Sequence, residues 1–254
     1  MIKVNNIHKS FDGVEILKGI STVFHESQTN LIIGQSGSGK TVFLKCMLGL
    51  FRPEIGNICY GAQNFNDLNA KEKRNLRTKI GMVFQGGALF DSMTVQENVM
   101  FPLKMFSDVS LSEMRDRVDE VLDRVNLVDA HHKYPSEISG GMQKRVSIAR
   151  AIVNRPKFLF CDEPNSGLDP KTAIVIDNLI QEITKEFKIT TVINTHDMNS
   201  VLEIGEKIVY LENGKLAWEG NKDIIFETDN ESVTKFVYSS ELYKKVRIAQ
   251  QKGY

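Results

Sequence analysis

The chain has 254 residues, 41% hydrophobic and 25% charged, which is ordinary for a globular protein. Lys plus Arg and Asp plus Glu both total 32, so the formal net charge is zero and no nucleic-acid partner is predicted. No segment approaches the roughly 18 apolar residues of a membrane span, and the N-terminus lacks the apolar stretch of a signal peptide. These features favour a cytoplasmic protein whose membrane role, if any, comes through a partner.

The length allows one substantial core with an inserted subdomain. The three cysteines, Cys46, Cys59 and Cys161, are widely spaced and form no CxxC pair. Cys46 and Cys161 lie in apolar runs. Buried, reduced thiols are therefore predicted, rather than a disulfide or a metal site.

The N-terminal third begins with predicted β-structure. Residues 2–25 alternate as short strands around a turn at Asp12 and Gly13, and residues 29–33 form a continuous apolar run. Continuous hydrophobicity suits a strand buried on both faces of a parallel sheet.

Residues 34–41, GQSGSGKT, follow this run and satisfy G-x-x-x-x-G-K-[ST] before a predicted helix at 40–50. The glycines let backbone N–H groups point at phosphate oxygens, and the helix adds its positive end. Lys40 would neutralise β- and γ-phosphate charge, and the Thr41 hydroxyl would bind Mg²⁺. The flanking strand and helix disfavour the alternative of a flexible Gly/Ser loop. ATP and Mg²⁺ are thus the predicted cofactors, and the predicted nucleotide-binding residues here are Gly34, Gln35, Ser36, Gly37, Ser38, Gly39, Lys40 and Thr41.

A helical insertion is predicted at about 86–155, where Ser110 and Glu113 fit a capping box and apolar residues then repeat at helical spacing. Within it, Ser139 is a predicted N-cap, and Gly140 and Gly141 leave the helix start open to an anion. One nucleotide needs no second cradle from the same chain, so two copies arranged head to tail would each lend this turn to the other's ATP. The alternative is an ordinary Gly-Gly turn before a helix.

Two further apolar runs, at 157–161 and 190–194, end in polar residues. Asp162 would hold Mg²⁺ through water, and Glu163 would polarise the attacking water as a general base. His196 follows the last run and would hydrogen-bond the γ-phosphate. Alone, such residues are more often a strand end or a structural histidine. Ligand sites in open α/β sheets lie beyond the carboxyl ends of the strands, so these groups are predicted to meet the phosphate loop.

Over roughly residues 1–225 the chain resembles the ATPases of ABC transporters. Residues 34–41 resemble the Walker A loop, residues 158–162 the Walker B strand, and Glu163 the catalytic carboxylate. Residues 138–142 resemble the LSGGQ signature, with Ile138 for Leu and Met142 for Gln. The resemblance implies an α/β fold: a P-loop NTPase with an ABC-type ATPase core, an N-terminal antiparallel β subdomain, an inserted α-helical subdomain at about 86–155, and a C-terminal tail, 226–254.

The same resemblance implies further roles. Gln85, after the strand-like run 80–84, resembles the Q-loop glutamine, which would contact Mg²⁺ or water and sense a transmembrane partner. Residues 166–169 resemble the D-loop, which contacts the opposite subunit, and His196 resembles the switch histidine. Phe11 occupies the place of the adenine-stacking aromatic residue. The catalytic set is therefore Glu163, His196 and Gln85, and the metal set is Thr41, Gln85 and Asp162.

A finer resemblance is carried by residues 84–95 and 139–145, which look like the ATPase subunit of bacterial phospholipid transport systems that work with mammalian-cell-entry (MCE) proteins. It implies a homodimer around two ATP molecules, a transmembrane permease and a place on the inner face of the inner membrane. The alternatives are an ABC ATPase for another cargo, such as an amino acid or a lipoprotein, and a non-transport ABC ATPase. Glu163 and His196 argue against a non-hydrolysing switch.

Two questions stay open at this level. The tail would pack on its own domain or reach the neighbouring subunit. A group of apolar residues in the insertion would form either a docking surface for the permease or the core of the helical subdomain. The residues of this group are Met93, Met100, Phe101, Leu103, Met105 and Phe106.

Overall fold

The computed structural model describes residues 1–239, which form two β-sheets and eight α-helices. The strands are β1 (Ile2–Phe11), β2 (Val14–Phe24), β3 (Gln28–Ile33), β4 (Ile55–Tyr60), β5 (Gln63–Asn64), β6 (Ile80–Val83), β7 (Phe158–Asp162), β8 (Thr190–Asn194), β9 (Lys207–Glu212) and β10 (Lys215–Gly220). The helices are α1 (Lys40–Met47), α2 (Ala70–Arg77), α3 (Val95–Phe106), α4 (Leu111–Arg124), α5 (Gly140–Ile152), α6 (Pro170–Glu186), α7 (Met198–Ile204) and α8 (Glu231–Val237).

The larger sheet has six strands in the order β10-β9-β3-β8-β7-β6, and all neighbours are parallel except β10 and β9. The three apolar runs predicted as buried strands are β3, β7 and β8, which lie side by side. In β8, all five residues are buried. Burial on both faces explains why these strands are continuously hydrophobic instead of alternating.

Successive residues of these strands point to opposite sides and contribute to two cores. Leu31 and Ile33 pack with the helices of the insertion, whereas Ile32 packs with α1 and the smaller sheet. The sheet therefore separates a helical layer from a layer made of α1 and antiparallel strands. Cys46 and Cys161 are buried and all three cysteines are free, as predicted, and burial raises the pKa of both buried thiols.

The smaller sheet, with the order β2-β1-β4-β5, is antiparallel and contains the predicted N-terminal hairpin. Its turn lies at Asp12 and Gly13, whose φ angles of 49° and 80° fall in the left-handed region. This sheet packs beside the larger one and brings Ile16, on β2, next to the loop that follows β3.

The predicted helical insertion contains α3, α4 and α5, and its capping box is present. The Ser110 Oγ accepts from the backbone N–H of Glu113, whose carboxylate accepts from the backbone of Ser110 in return. Of the described helices, α6 is the longest at 17 residues, and none combines the length and hydrophobicity needed to cross a bilayer.

The part of the tail that the structure describes packs on the chain's own core. Val233 and Val237 of α8 are fully buried, and the Phe236 ring lies 5.3 Å from that of Tyr210 on β9. Of the two alternatives given for the tail, residues 226–239 therefore follow the first and pack on their own domain. The rest of the predicted tail, 240–254, lies outside the described residues.

Candidate nucleotide-binding site

The carboxyl ends of β3, β6, β7 and β8 meet at one edge of the larger sheet because these strands are parallel. A cavity of about 600 Å³ opens at this edge, a size typical of small-molecule sites. The phosphate loop, residues 34–41, forms one wall, and the predicted catalytic residues face it. The lining residues are Ile16, Ser36, Gly37, Gly39, Lys40, Thr41, Val42, Gln85, Glu163 and His196.

The phosphate loop curls because its glycines adopt conformations that side chains resist. Gly37 and Gly39 have φ angles of 80° and 102°. A Cβ on Gly34 would lie 2.3 Å from the carbonyl oxygen of Leu211, so that position also needs the missing side chain. No side chain caps α1 at Gly39, which leaves the first N–H groups of this helix available to an anion.

Lys40 lies within the loop with only 8% of its surface exposed. Its Nζ donates to the carbonyl oxygens of Gly34 at 2.7 Å and of Gln35 at 2.9 Å. Burial lowers the pKa of Lys40, and the carboxylates of Glu163 and Asp162 oppose that shift. The ammonium group is thus held where anionic oxygens would gain most from it.

The side chains around the loop fit a nucleotide with Mg²⁺. Thr41, Asp162 and Gln85 supply hydroxyl, carboxylate and amide oxygens, the ligand types that Mg²⁺ accepts. Asn194 on β8 donates through Nδ2 to Asp162 Oδ1 at 3.1 Å and so orients that carboxylate. The loop supplies backbone donors and one ammonium group for phosphate.

Glu163 brings the three predicted catalytic residues into contact. Its Oε2 accepts from Gln85 Nε2 at 2.8 Å, and its Oε1 lies 2.8 Å from His196 Nδ1. The Glu163 backbone has a φ angle of 47°, a conformation that is unusual for a side chain of this size, and its N–H donates to the carbonyl of Asn194 at 2.9 Å. Such strain clusters at functional sites.

The D-loop, residues 166–169, follows Glu163 in sequence and is anchored by the residue that precedes it, Asn165. Asn165 is buried, and its Nδ2 donates to Ser200 Oγ at 2.8 Å and to Asp177 Oδ2 at 3.2 Å; it also lies 3.4 Å from Asp197 Oδ2. Burial raises the pKa of Asp177 to about 6. The network ties the D-loop to α6, to α7 and to the residue after His196.

The second predicted cradle, residues 139–141 (the signature turn), lies apart from the cavity. Ser139 caps α5 as predicted, since its Oγ accepts from the backbone N–H of Met142 at 3.3 Å. Ser139 and Gly140 are exposed, and neither lines the cavity. Phe11 is also outside the lining; its ring packs edge-on against Phe51 at 5.1 Å between centroids.

A family model described as ABC transporter matches residues 17–166, more than half of the chain. The chain belongs to the ABC transporter family. A relative from Mycobacterium tuberculosis (strain ATCC 25618 / H37Rv), "Probable ribonucleotide transport ATP-binding protein mkl", is 37% identical over 236 residues, which cover 93% of this chain and 66% of the relative. The chain therefore spans about two thirds of that relative's length. "Methionine import ATP-binding protein MetN 1" of Oceanobacillus iheyensis is 40% identical over 239 residues, 92% of this chain and 70% of the relative.

Solved ABC structures share the whole fold. The "Dimeric Structure of MJ0796, a Bacterial ABC Transporter Cassette" matches with a TM-score of 0.79 and 35% identity over 87% of this chain and 99% of that one. The cbiO1 protein of Clostridium perfringens, "Part of the ABC transporter complex cbiONQ", matches with a TM-score of 0.84 and 30% identity over 100% and 98% of the two chains. The predicted fold, an ABC-type ATPase core with antiparallel and helical subdomains, is confirmed.

The sequence motifs did not predict a set of contacts between α5 and the Q-loop, residues 85–88. Lys144 is buried and its Nζ donates to the carbonyl of Gln85. Ser147 Oγ donates to Gly87 O at 3.0 Å, and Arg150 donates to the carbonyls of Gly87 and Ala88, both at 2.7 Å. The available signal was the three-residue spacing of the polar residues 144, 147 and 150, which places them on one face of α5.

A second cavity, of about 480 Å³, lies beside the Q-loop and is mostly apolar. Phe84 and Phe106 in its wall are 42% and 49% exposed. Of the apolar group predicted at 93–106, Met100 and Leu103 are buried in the core, whereas Phe101 and Phe106 line the groove, and a docking role for this groove stays a prediction. Lining residues are Arg77, Thr78, Ile80, Gly81, Met82, Phe84, Ala88, Phe90, Phe101, Pro102, Phe106, Arg150, Ala151 and Asn154.

Proposed function

We propose that this chain is the ATP-hydrolysing subunit of an ABC transporter, which dimerises around two ATP molecules and drives a transmembrane permease that moves phospholipid across a bacterial envelope. The observation that carries the hydrolytic part is the contact of Glu163 with both Gln85 and His196 beside the phosphate loop. A similar solved cassette, MJ0796, is described as a post-hydrolysis state bound to ADP and Pi (TM-score 0.78, 35% identity).

In this mechanism the phosphate loop binds the β- and γ-phosphates through its backbone N–H groups, and Lys40 exchanges its two carbonyl partners for phosphate oxygens. Thr41, Asp162 and Gln85 hold Mg²⁺, which supplies charge neutralisation to the phosphates when bound. Phe11 is proposed to stack on the adenine. Phe11 is 37% exposed, with the Lys9 ammonium group 4.9 Å from the centroid of its ring.

Glu163 acts as the general base. Gln85 and His196 hold its carboxylate from two sides, so that it accepts the proton of the attacking water with little reorganisation. With Nδ1–H donating to Glu163, His196 can also donate to a γ-phosphate oxygen when Nε2 carries a proton as well. Removing any one of these contacts would leave the carboxylate free to rotate away from the water.

The position of the signature turn supports the proposed dimer. An exposed, capped helix start with no acidic residue in its first turn suits an anion, yet this turn does not line the chain's own nucleotide cavity. A second copy arranged head to tail places this turn, formed by Ser139, Gly140 and Gly141, against the ATP of its partner. MJ0796 was solved as a dimer.

The permease is proposed to dock in the apolar groove beside the Q-loop. The groove carries exposed aromatic side chains, and its floor includes Ala88, whose carbonyl is held by α5. The MCE-type phospholipid system is the favoured partner, on the sequence resemblance at residues 84–95 and 139–145. It would hold the protein on the inner face of the inner membrane. Methionine, or another amino acid, is the second candidate cargo because MetN relatives reach 40% identity.

The dimeric mechanism is tested by phosphate release measured at increasing chain concentration. Turnover per chain should rise steeply with concentration, because each catalytic site needs a second copy. Lys40→Ala is the control for the site, and its ATP affinity should fall by about 10- to 100-fold, the worth of a charge-assisted hydrogen bond. Equal turnover per chain in a strictly monomeric sample would contradict the mechanism.

The cargo is tested on the complete complex. The tagged chain is co-purified with its membrane partner, and the complex is analysed for bound phospholipid and assayed for ATP turnover with added methionine. Phospholipid in the complex and no response to methionine would support the MCE-type assignment. Stimulation by methionine without bound lipid would replace it with amino-acid import.

A further inference from the structure

Helix α5 contacts two places that, in the proposed dimer, belong to different nucleotides. Its first turn is the signature turn, which faces the ATP of the partner. One turn later Lys144 donates to the carbonyl of Gln85, in the Q-loop of its own chain. Residues 141 and 144 are separated by only about 4.5 Å along the axis of an α-helix.

We propose that Lys144 is a positioning residue that couples the two ATP sites: it sets the signature turn that a chain offers to its partner according to the position of that chain's own Q-loop. The inference rests on the proposed dimeric function and adds a path between the sites. Lys144 is not proposed to touch nucleotide in either site.

The contact joins the catalytic carboxylate to α5 through a single residue. The side chain of Gln85 donates to Glu163 Oε2 at 2.8 Å, while the backbone carbonyl of the same residue accepts from Lys144. A shift of the Gln85 backbone therefore changes the position of the oxygen that Lys144 holds. That displacement reaches the start of α5 within one turn.

Burial makes this lysine costly to leave without its acceptor. Lys144 has 7% of its surface exposed, and a buried ammonium group needs a polar partner. Lys144 is therefore expected to follow the Gln85 carbonyl when the Q-loop moves, instead of releasing it.

The polar side chains further along α5, Ser147 and Arg150, hold this helix and the Q-loop together. Ser147 and Arg150 hold the carbonyls of Gly87 and Ala88, where the chain turns with φ angles of 76° and 47°. A Cβ on Gly87 would lie 3.0 Å from Ser147 Oγ, so the approach is close. Ser147 and Arg150 fix the part of α5 beside the groove. Lys144 makes the next contact along the helix, between the groove and the signature turn.

The test uses dimers in which only one site hydrolyses ATP. Two differently tagged copies are co-expressed and isolated through both tags. The control dimer pairs wild type with Glu163→Gln. The trans dimer pairs wild type with a copy carrying both Glu163→Gln and Lys144→Met. The cis dimer pairs Lys144→Met with Glu163→Gln. In the trans dimer the working site has an intact phosphate loop, Q-loop and base, and only the borrowed signature turn belongs to the altered copy.

We expect the trans dimer to lose about tenfold in kcat relative to the control dimer, because a hydrogen bond to a charged group is at stake. The KM for ATP should change less than threefold, because its own phosphate loop is untouched. A trans dimer as active as the control, with the loss confined to the cis dimer, would overturn the coupling and leave Lys144 a local support of the Q-loop. A wild-type homodimer without ATP turnover would refute the proposed ATPase itself.

Two additional variants guard against misfolding. Lys144→Arg keeps the cation and should restore the trans dimer to within about threefold of the control. Lys71→Met, at an exposed position of α2, is the matched substitution elsewhere and should leave turnover unchanged. If Lys144→Met fails to bind ATP in calorimetry, Lys144→Gln replaces it in the same three dimers, with the same two outcomes deciding.

Discussion

Two helix starts of this molecule are proposed to bind phosphate, and their surroundings differ sharply. The phosphate loop before α1 lies in a cavity with a buried lysine, the proposed catalytic carboxylate and a histidine around it. The signature turn before α5 is exposed and lines no cavity with them, although Ser139 caps it well. A helix end alone gives an anion only about 0.3–1 kcal/mol. The phosphate loop is therefore a nearly complete anion site, and the signature turn is half of one.

The two turns also differ in what surrounds their glycines. At Gly34 an added Cβ would collide with the backbone of Leu211 in the same chain, so the glycine is needed by the folded monomer. At Gly140 the nearest atom to such a Cβ is Leu168 Cδ2, on the D-loop, at 3.8 Å, which is ordinary contact. Folding of the monomer does not demand a glycine at 140, so any such demand there comes from what approaches the turn from outside, whereas a Cβ on Gly141 would lie 2.8 Å from Thr172 Cγ2 of the same chain.

The largest expected effect comes from the complete site. Glu163→Gln should lower turnover by ~10²–10⁴-fold, or about 3–5 kcal/mol of barrier, because it removes the general base. ATP binding should persist and the closed dimer should accumulate. Phosphate release and gel filtration with ATP would measure both, with the exposed Glu26→Gln as control. Near-normal hydrolysis would remove Glu163 from its role.

The half site is tested by complementation. Ser139→Arg blocks the signature turn and leaves the phosphate loop intact, so neither this variant nor Glu163→Gln should be active alone. When the two are mixed, about one quarter of the sites should regain activity, since half of the dimers contain one composite site with all its groups. Phosphate release from the mixture measures the effect. No recovery, with mixed dimers demonstrated by two-tag purification, would contradict the exchange of signature turns.

The smallest effect concerns Asp177, in the network that anchors the D-loop between the two regions. Its pKa is raised to about 6 by burial, and the nearby Asp197 and Glu203 add to the shift, while Ser200 and Asn165 oppose it by hydrogen bonding. Because the native state binds this proton more tightly than the unfolded chain, the contribution of Asp177 to the free energy of unfolding falls as pH rises from about 4 to 7.

Asp177→Asn removes this dependence. The unfolding free energy of the variant relative to wild type should therefore rise by about 2 kcal/mol between pH 4 and pH 7.5. Denaturant unfolding of both proteins at the two pH values gives the difference directly, and all other titrating groups cancel to first order. A difference that stays constant with pH would mean that Asp177 keeps the same charge in the folded and unfolded states.

Much of this architecture could be predicted from local patterns. Continuous apolar runs gave β3, β7 and β8, and the Ser110 and Ser139 caps were visible from their positions before helical repeats. These features depend on residues close in sequence, where steric and hydrogen-bonding preferences act directly.

Contacts across the fold were less accessible. His196 meets Glu163 over 33 positions, and Lys144 meets Gln85 over 59, and neither pairing has a local signature. The burial of α8 was missed because its seven residues present only a few apolar side chains in a polar stretch. The continuous hydrophobicity of the runs predicted a parallel sheet with converging carboxyl ends, but the order of its strands is supplied only by the fold.

The left-handed backbone at Glu163 has a consequence for the evolution of stability. A non-glycine residue in this conformation costs roughly 1–2 kcal/mol, which Glu163→Gly would relieve. Selection for thermal resistance alone, in a population freed from the need to transport, should therefore discard this carboxylate early. Descendants that have acquired a small residue at this position would be more stable than their ancestor and would lack the proposed general base.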